Sequence, residues 1–471
     1  MKATLASSSL LTLLCAGLAS AQTPAIPDSI DRFLRAELVR QRIPGMSVAV
    51  LRGDSVLLSR GYGFANVEQH VPATDSTVYM VGSLTKPFTA AAIVLLSQQG
   101  RLKLDDPITK YLPEGRAVWP NVTIRHLLTH TAGVPQDTSL DWVRDYSESD
   151  MVRSAAQPLQ FEPGAQQSYS STGYALLGPI IHRVTGAPWG DFVRDHIFRP
   201  LEMPTARVNP DAERLPGHAI GYGLVNDTLS PNHEPVSRSI NSMADCCLSF
   251  SAPDLIQWAR GVNHEKVLGR AGLELSWSPV RLNNGATYPY GLGWNLLEQR
   301  GYRRIGHSGA WRGNHATVQR YPDFGLTVIV LLNAAHANSE GIAVGVAGMV
   351  EPALTPPHHA SIGRRGGTPP TSMDRLLRAI AINNDSALVT PEVRATFPKS
   401  RREIIGSFLD MIDTWTFLGC DRVRDRGITR LRSRIERICY AKGTAQGRSW
   451  LFTVPYDRAW RAAGLDNVFG I

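Results

Sequence analysis

A segment rich in proline, glycine and arginine divides the chain into two unequal parts. It covers residues 353–372, contains two Pro-Pro pairs and shows no apolar periodicity. Proline has no backbone N–H to donate, so such a segment favours an extended linker over a helix or a strand. We therefore predict two folded parts, residues 22–352 and 373–471, in a chain whose 471 residues are 43% hydrophobic.

The first part begins and ends with segments that have the character of strands. Residues 44–54 run as a strand into a turn, and residues 326–333 form a continuous apolar run of strand length. Between them lie helical segments such as residues 88–99, which Gly100 follows at the position of a helix C-cap. These elements predict an α/β (α+β) fold in which helices flank an antiparallel β-sheet.

The second part has its own pattern of helix and strands. Residues 372–384 are predicted as a helix and residues 449–454 as a strand. Residues 428–435 alternate arginines with apolar or small side chains, which is typical of a strand with one basic face. We therefore predict a small α+β module at the C-terminal end.

The N-terminus has the features of an export signal. A lysine precedes the apolar run 10–18, and a small-residue cleavage pattern ends at Ala21. We predict a signal peptide over residues 1–21, and therefore a periplasmic or secreted protein. One alternative is a membrane anchor, but the run is shorter than the roughly 20 residues of a spanning helix. Another alternative is a lipoprotein, but Cys15 lacks a small residue before it. No later segment is apolar enough to span a membrane.

Four cysteines remain after removal of the signal. Cys246 and Cys247 are adjacent, which makes too short a ring for an ordinary disulfide, and we interpret them as small buried residues. If the strands around Cys420 pair through a turn at residues 425–427, Cys420 faces a position near residue 433. A bridge from Cys420 to Cys439 would then need a third strand or a bulge, and the sequence leaves it open. No cysteine pair has the spacing of a zinc site.

The net charge of +8 is concentrated near the C-terminus. Residues 373–471 contain 17 lysine and arginine residues against 11 aspartate and glutamate residues. Because no nucleic-acid-binding motif accompanies this surplus, we interpret it as a solvated basic face and predict no nucleic-acid partner.

A Ser-x-x-Lys pattern at Ser83 and Lys86 stands where a helix is predicted to begin. Residues three apart on a helix share a face, so the lysine amine can reach the serine hydroxyl. A neutral lysine can accept the proton of an attacking serine, and burial together with a second cationic group would favour that neutral form. The pattern is short, however, and by itself it also fits the start of a surface helix.

Five segments accompany the Ser83 pattern: residues 61–68, 100–108, 111–113, 126–133 and 197–201. Together they resemble the serine β-lactamase and penicillin-binding protein superfamily, and within it the class C β-lactamase-like branch, over residues 26–350. The resemblance implies a β-lactamase/transpeptidase-like fold with an all-helical lobe. It also implies a serine hydrolase that forms an acyl-enzyme on Ser83, with Lys86 as proton acceptor and without a cofactor.

The resemblance identifies a second catalytic element at residues 169–171. The sequence there is Tyr-Ser-Ser, where the family usually has Tyr-x-Asn. Tyr169 is therefore expected to be the phenol that shares the proton with Lys86. Ser171 is expected to contact the substrate, with a short hydroxyl where the family has an amide, which puts recognition of a β-lactam or a peptide amide in doubt.

A third element follows at residues 307–309, where His-Ser-Gly replaces the family's Lys-Thr-Gly. His307, Ser308 and Gly309 are expected to bind the substrate, and His307 would be mostly uncharged at neutral pH, unlike a lysine. The resemblance further implies an oxyanion hole formed by the backbone N–H groups of Ser83 and Ala310.

Three other residues have two interpretations each. Trp311 could line the acyl pocket or cap the core, and we include it among the candidate substrate-binding residues. His126 and His130 have the i, i+4 spacing of two metal ligands, but no glutamate lies between them and no third ligand is apparent. We therefore predict no metal.

The leading hypothesis is an exported serine hydrolase that cleaves an ester or a small amide or peptide bond. The alternative is a penicillin-binding DD-peptidase or β-lactamase that acts on β-lactams or cell-wall peptides. The chain lacks a Ser-Asp-Asn tripeptide, which argues against a class A β-lactamase. A binding protein that kept the fold without catalysis is the third hypothesis. The sequence leaves the oligomeric state and the role of the C-terminal module open.

Overall fold

The predicted signal peptide (residues 1–21) and most of the predicted linker (353–372) lie outside the part of the chain that the structure describes. Among the described residues, every helix is too short or too polar to traverse a bilayer. The computed structural model describes residues 28–136, 140–208, 217–226, 228–232, 236–355, 372–382, 387–391, 393, 406–407, 409–422, 429–430, 433–445, 448–463, 465 and 467–470.

A seven-stranded antiparallel sheet unites the two ends of the first part. In the central pair, Val48 lies opposite Val330, so the strands predicted from the two ends are neighbours and the predicted antiparallel sheet is confirmed. In spatial order its strands are β11 (Asn295–Gln299), β12 (Tyr302–Trp311), β13 (Asn314–Tyr321), β14 (Leu326–Leu332), β1 (Gly45–Arg52), β2 (Ser55–Asn66) and β3 (Val71–Pro72).

Helices cover the sheet and form the expected helical lobe beside it. The predicted helix 88–99 is confirmed as α2, which ends before Gly100, a residue in the left-handed region with φ of 70°. The helices of the first part are α1 (Asp28–Arg40), α2 (Lys86–Gln98), α3 (Ile124–Leu128), α4 (Glu148–Ala155), α5 (Ser171–Ala175), α6 (Leu177–Thr185), α7 (Trp189–Val193), α8 (Ala252–Asn263), α9 (Gly269–Ser276) and α10 (Ser339–Val350).

Short strands complete the first part. β4 and β5 both pair with β8, and the other four form two hairpins. They are β4 (Tyr79–Met80), β5 (Arg207–Val208), β6 (Tyr222–Val225), β7 (Thr228–Pro231), β8 (Leu248–Phe250), β9 (Val280–Arg281) and β10 (Thr287–Tyr288).

Alternate residues of β1 enter two different apolar cores. Val48 and Val50 pack with residues of α1 and α10, whereas Ala49 and Leu51 pack in the core that contains α2 and α8. Successive side chains of a strand point to opposite faces, so a strand covered on both sides must be apolar throughout. This burial explains the continuous apolar runs at both ends of the first part, and it fixes the position of α2 on one face of the sheet.

In the C-terminal module, helix α11 packs on a four-stranded antiparallel sheet in the order β15-β18-β19-β20. The predicted helix 372–384 and strand 449–454 are confirmed as α11 and β19. The elements are α11 (Met373–Ile382), β15 (Thr414–Arg422), β16 (Thr429–Arg430), β17 (Ser433–Arg434), β18 (Arg437–Ala445), β19 (Arg448–Tyr456) and β20 (Asn467–Gly470).

The prediction of one strand over residues 428–435 is wrong. That segment supplies the two short strands β16 and β17, which pair with each other. Because this hairpin lies within the connection from β15 to β18, the two long strands do not meet at a turn over residues 425–427. Cys420 therefore lies opposite Cys439 and not near residue 433, and the two residues form a disulfide.

The interpretation of Cys246 and Cys247 as an unbridged pair is also wrong. Both are buried as expected, but they form a disulfide with each other. The pair lies at the end of a turn that leads into β8, where the chain changes direction. The bridge closes within this turn, beside the start of α2.

The C-terminal module contacts the first part through a hairpin and an ion pair. Leu282 and Ala286, from the β9–β10 hairpin, belong to the same apolar core as Leu376 of α11. Arg300 also forms an ion pair of 2.5 Å with Asp421 of β15. The boundaries of the two parts stay a prediction.

Candidate active site

Ser83 lies in a tight turn that leads directly into α2. The turn, Gly82–Thr85, has 3₁₀ geometry, and Lys86 is the first residue of the α-helix. Gly82 has a φ of 53°, a conformation that glycine adopts without strain. The helical spacing brings Lys86 Nζ to 3.0 Å from Ser83 Oγ, which is hydrogen-bond distance.

Lys86 is fully buried and hydrogen-bonded in three directions. Besides Ser83, its amine donates to Ser171 Oγ at 3.3 Å and to the backbone carbonyl oxygen of Asp245 at 2.9 Å. An ammonium group has three donors, so these acceptors satisfy its protonated form. A neutral amine in the same position could instead accept the Ser83 proton.

The segment before β8 lies along the start of α2 and holds the Asp245 carbonyl at Lys86. Thr89 Oγ1 donates to the carbonyl oxygen of Ala244 at 2.6 Å, and the backbone N–H of Leu248 donates to Thr85 Oγ1 at 3.1 Å. These bonds fix both ends of the turn that precedes β8. The position of Lys86 therefore depends on a segment about 160 residues away in sequence.

The Asp245 side chain is a buried acid that the sequence analysis missed. It is 8% exposed, and its Oδ1 has no hydrogen-bond partner among the described residues. Burial raises the pKa of Asp245, while the charge of Lys86 and a hydrogen bond with Ser171 partly oppose that shift. No family motif includes this position, and its only sequence signal was an acid directly before two cysteines.

The outer edge of β12 lies against the turn that carries Ser83. β11 pairs with β12 only up to Gly306, which leaves residues 307–311 without a partner on that side. A methyl group on Gly309 would approach Ser83 N to 2.5 Å, and one on Gly82 would approach Ala310 N to 2.5 Å. The two backbone groups expected to form the oxyanion hole are thus in close proximity.

Tyr169 lies beside Lys86 and contacts it through the face of its ring. The Lys86 Nζ is 5.0 Å from the ring centroid of Tyr169 and 5.5 Å from that of Tyr174, within cation–π distance. Tyr169 is 41% exposed, and its ring packs against His130 with a centroid distance of 4.2 Å. The phenol is therefore open to a substrate, and its exchange of a proton with Lys86 stays a prediction.

Ser171 begins α5 and joins it to the Lys86 site. Its N–H donates to Gln136 Oε1 at 2.7 Å, while its hydroxyl accepts from Lys86. The neighbouring Ser170 caps the helix by accepting a hydrogen bond from Gly173 N. Gln136, which the sequence analysis did not select, thereby becomes part of the site.

A chain of hydrogen bonds connects two buried histidines through Tyr290. His130 Nδ1 accepts from Ser170 N at 3.0 Å, so we assign its proton to Nε2, which lies 3.2 Å from the Tyr290 hydroxyl. The hydroxyl can then donate to His307 Nε2 at 3.1 Å, and His307 Nδ1 donates to the carbonyl oxygen of Ser308 at 2.7 Å. Both nitrogens of His307 are thus engaged within the protein.

The same burial keeps these histidines uncharged. It lowers the pKa of His307 to about 3 and that of His130 well below its ordinary value, with the charge of Lys86 acting in the same direction. A lysine at position 307 would present a positive charge, whereas this histidine presents none near neutral pH. Tyr290 was missed in the sequence because it belongs to no recognised motif.

The side chains of Ser308 and Trp311 contact residues that the motif does not include. The Ser308 hydroxyl is within 2.9 Å of Thr317 Oγ1 and donates to Glu340 Oε2 at 3.0 Å. Trp311 packs against the exposed Trp142 with a centroid distance of 5.5 Å. Trp142 lines a pocket of about 410 Å³ that also includes Ser171, and Trp311 contacts Trp142 without lining the pocket itself.

His126 has a structural contact that accounts for its spacing from His130. Its Nδ1 accepts a hydrogen bond from Thr123 N, while Thr123 Oγ1 accepts from His126 N, which together cap α3. In the ranges that the structure describes, no group of three or more histidine, cysteine, aspartate or glutamate residues could hold a metal ion.

Comparison with known proteins identifies the family and the fold of the chain. The family described as Beta-lactamase matches residues 30–347. A penicillin-binding protein from Bacillus subtilis (strain 168) is 32% identical over 310 residues, which cover 61% of this chain and 67% of that protein.

Two solved structures share the fold. The octameric penicillin-binding protein homologue from Pyrococcus abyssi has a TM-score of 0.62 and 21% identity, over 92% of this chain and 96% of that one. A D-stereospecific amidohydrolase from Streptomyces sp. has a TM-score of 0.56 and 24% identity, over 68% and 98%.

The matched region contains the whole of the site described above, from Ser83 to Trp311. Its fold, with helices on an antiparallel sheet, is that of the related solved structures. Proteins of this family hydrolyse small amide, ester or peptide substrates through an acyl-enzyme. The chain therefore belongs to the beta-lactamase family and is a serine hydrolase related to the penicillin-binding proteins.

Proposed function

We propose that this protein is an exported hydrolase that cleaves an ester, or a small amide or peptide bond, through an acyl-enzyme on Ser83. The observation that carries the proposal is the 3.0 Å contact between Ser83 Oγ and the amine of a fully buried lysine, Lys86. A serine needs such a base within hydrogen-bond reach to act as a nucleophile.

The geometry supports the following sequence of steps. Neutral Lys86 accepts the hydroxyl proton as Ser83 Oγ attacks the carbonyl carbon, and the N–H groups of Ser83 and Ala310 stabilise the negative oxygen. The ammonium that forms on Lys86 has three acceptors around it. Its proton passes to the leaving group, with Tyr169 on the path. Water then attacks the acyl-enzyme and gives its proton to Lys86, which passes a proton to Ser83 Oγ as the bond to the acyl group breaks and the acid product leaves.

Two departures from the family motif favour a substrate without a carboxylate at the β12 edge. His307 is uncharged near neutral pH, and both of its nitrogens are hydrogen-bonded within the protein. A substrate carboxylate there would lack the cation that a lysine provides. Ser171 offers a hydroxyl where the family has an amide. Both features favour an esterase of the class C β-lactamase-like type.

We propose that export follows from residues 1–21, whose apolar run and small residues before the cleavage point fit a signal peptide. The mature protein would then act in the periplasm or outside the cell. Fractionation of cells that express the full chain, with N-terminal sequencing of the product, tests this proposal. A product that begins at residue 22 outside the cytoplasm supports it, and an uncleaved cytoplasmic chain contradicts it.

A substrate panel tests the proposed activity. We expect nitrophenyl esters to give a burst of nitrophenol, and intact-mass analysis after quenching to detect one acyl adduct on the peptide that contains Ser83. D-amino-acid anilides and a chromogenic cephalosporin, assayed beside the esters, define the leaving groups that the site accepts. Inertness to a fluorophosphonate probe and to every ester would contradict the proposal.

Similarity to the Bacillus subtilis penicillin-binding protein supports a second candidate function, that of a DD-peptidase or β-lactamase. In that case penicillin would acylate Ser83. Stoichiometric labelling by a fluorescent penicillin that persists for hours supports a penicillin-binding DD-peptidase. Rapid turnover of the cephalosporin supports a β-lactamase instead, and neither result is expected for an esterase.

Substitution of Gly309 by alanine tests the oxyanion hole. The added methyl group would lie 2.1 Å from the carbonyl oxygen of Val81 and 2.5 Å from Ser83 N, so β12 must move away from the turn. We expect kcat to fall by about 10²- to 10³-fold, the loss typical of one oxyanion donor. Gly223→Ala in β6, where a methyl group would meet no atom within 4 Å and φ is not positive, is the control for an added methyl group. An equal loss of kcat in both variants would contradict the prediction.

A further inference from the structure

A second pocket opens at the edge of the large sheet, next to α8 and α9. Its volume is about 660 Å³, within the roughly 300–1,000 Å³ of ordinary ligand sites. Its wall comes from the turn between β1 and β2, the end of α8, α9, and the adjoining ends of β12, β13 and β14. The apolar side chains of this wall are Val262, Leu273, Trp277, Ile305, Tyr321 and Leu326.

This second pocket lies toward the opposite end of β12 from the catalytic edge. Ile305 of β12 lines it, whereas Ala310 of the same strand lies against the turn that carries Ser83. At about 3.3 Å per residue, Ile305 and Ala310 are roughly 17 Å apart along the strand. The second pocket and the pocket that includes Ser171 share no lining residue among those that the structure describes. It is therefore separate from the site at Ser83.

Arg320 of β13 is a buried arginine in the wall of the second pocket, with 8% of its surface exposed. Its Nη2 donates to Asn263 Oδ1 at 2.7 Å, and its Nη1 donates to the carbonyl oxygen of Ala259 at 3.4 Å. A guanidinium group has five N–H donors. These two bonds to α8 therefore leave most of the donors, including Nε, without a partner among the described residues.

The charge of Arg320 is not neutralised by an acid within the described ranges. Burial lowers the pKa of Arg320 to about 10, and no carboxylate opposes this shift. Because this pKa is well above 7, the guanidinium keeps its positive charge near neutral pH. A buried charge without a counter-ion is costly, so an anion that enters the pocket and pairs with Arg320 removes part of that cost.

The other basic groups of the wall lie beside acids. The pairs are His264 with Asp54 at 2.8 Å, Arg270 with Glu274 at 3.0 Å, and Arg303 with Asp323 at 3.2 Å. The remaining acid of the wall, Glu265, acts with Glu274 to raise the pKa of Arg270. Arg320 is thus the basic group of this wall to which an anionic ligand offers the most.

Trp277, directly after α9, adds an aromatic face and a second unused donor. Its ring centroid is 5.7 Å from the guanidinium carbon of Arg320, within cation–π distance. Its buried Nε1 has no acceptor in the part of the chain that the structure describes. Indole and guanidinium groups only donate hydrogen bonds, so both residues lack an acceptor. A ligand that satisfies them must accept hydrogen bonds.

We propose that the second pocket binds a small carboxylate with an apolar body, whose carboxylate group pairs with Arg320 and whose body contacts Leu273 and Ile305. A carboxylate and a guanidinium are both planar and can form two parallel hydrogen bonds. The apolar wall favours an aryl or alkyl carboxylate over a small hydrated anion. This inference goes beyond the proposed function and does not depend on it, because none of these residues takes part in the steps at Ser83.

Titration of the wild-type protein tests the class of ligand. Phenylacetate and phenylacetamide share the ring and differ in charge, whereas acetate has the charge without the ring. By calorimetry we expect the Kd of phenylacetate to be about 10- to 100-fold below that of phenylacetamide, as a hydrogen bond to a charged group typically provides. It should also be more than about tenfold below that of acetate. A Kd for phenylacetate equal to that of either other compound overturns the inference.

Substitution of Arg320 tests the partner of the carboxylate. In Arg320→Met, the Kd of phenylacetate should rise about 10- to 100-fold, to that of phenylacetamide. Arg320→Lys keeps the charge but lacks the planar fork, and we expect an intermediate Kd. Arg199→Met, a change of an exposed arginine paired with Asp195, is the matched control and should keep the wild-type Kd. An unchanged Kd in the folded Arg320 variants overturns the inference.

Crystals of the wild-type protein soaked with 4-bromophenylacetate locate the ligand without any substitution. We expect an anomalous bromine peak in the second pocket, with the carboxylate within about 3 Å of the Arg320 guanidinium. A peak at the Ser83 site alone, or no peak at a concentration well above the Kd, overturns the inference. The proposed hydrolysis at Ser83 is assayed separately and stands or falls on its own.

Discussion

Replacement of Ser83 by alanine is expected to reduce hydrolysis of every ester and amide substrate by about 10⁴- to 10⁶-fold, to the level that binding and the oxyanion hole supply alone. The reason is that no other hydroxyl within reach of Lys86 can replace it as the nucleophile. Ser171 Oγ also contacts the amine, but it begins α5 on the opposite side of Lys86 and lacks the neighbouring β12 edge.

The measurement is steady-state turnover together with intact-mass analysis. We expect the Ser83→Ala variant to show no acyl adduct and no fluorophosphonate label. Its thermal midpoint should be close to that of the wild type, since Ser83 is only partly buried and the change removes one oxygen atom. Ser278→Ala, a change of an exposed serine whose hydroxyl donates to the carbonyl oxygen of Glu274 in α9, is the control. Full activity in Ser83→Ala would exclude the proposed mechanism.

The second large effect is expected from Lys86→Met, which removes the base and keeps the length of the side chain. Acylation of Ser83 should slow by about 10²- to 10⁴-fold, the usual contribution of a general base. Both the burst rate with a nitrophenyl ester and the rate of fluorophosphonate labelling report on this step. Ser83 remains present, so labelling should be slow and not absent.

Stability should change in the opposite direction from activity in this variant. Lys86 is fully buried, and keeping its amine away from water costs free energy that an apolar side chain of similar volume does not cost. We therefore expect a thermal midpoint equal to or above that of the wild type. Lys266→Met, a change of an exposed lysine, is the control and should alter neither property. An acylation rate equal to that of the wild type in the folded Lys86→Met variant would contradict the assignment of Lys86 as a base.

The uncharged state of His307 distinguishes this site from one with a lysine in that position. Burial lowers the pKa of His307 to about 3, so the folded protein keeps it neutral over the range in which a free histidine titrates. Both nitrogens of His307 are hydrogen-bonded within the protein, so we propose that His307 supports Tyr290 and the β12 edge and does not bind a carboxylate directly. The substrate preference that we propose follows from this contrast.

The local parts of the fold and of the site were predictable from the sequence. The strands 44–54 and 326–333 could be recognised because burial on both faces requires a continuous apolar run. Helix α2 could be recognised from its apolar segment and from Gly100 at its end. By contrast, residues 428–435 form a hairpin and not one strand, because alternation over a few residues does not distinguish a long strand from two short arms.

The disulfides show the same limit. The partner of Cys420 depends on the length of the connection between β15 and β18, and the sequence contains no signal for the hairpin inserted there. Likewise, Cys246 and Cys247 are bridged only because the chain turns at that point. Neither pairing could be obtained from spacing alone.

The sequence by itself determined the nucleophile and its base, because Ser83 and Lys86 are three residues apart and the start of a helix is enough to bring them together. Only the tertiary structure decided what surrounds them. Asp245 contacts Lys86 across 159 positions, and the Tyr290 hydroxyl meets His130 across 160. Such contacts depend on how the lobe packs against the sheet, which no local pattern encodes. The physical reason is that helical spacing is fixed by backbone hydrogen bonds within one turn, whereas the charge, burial and shape of a site are set by segments that meet only in the folded chain.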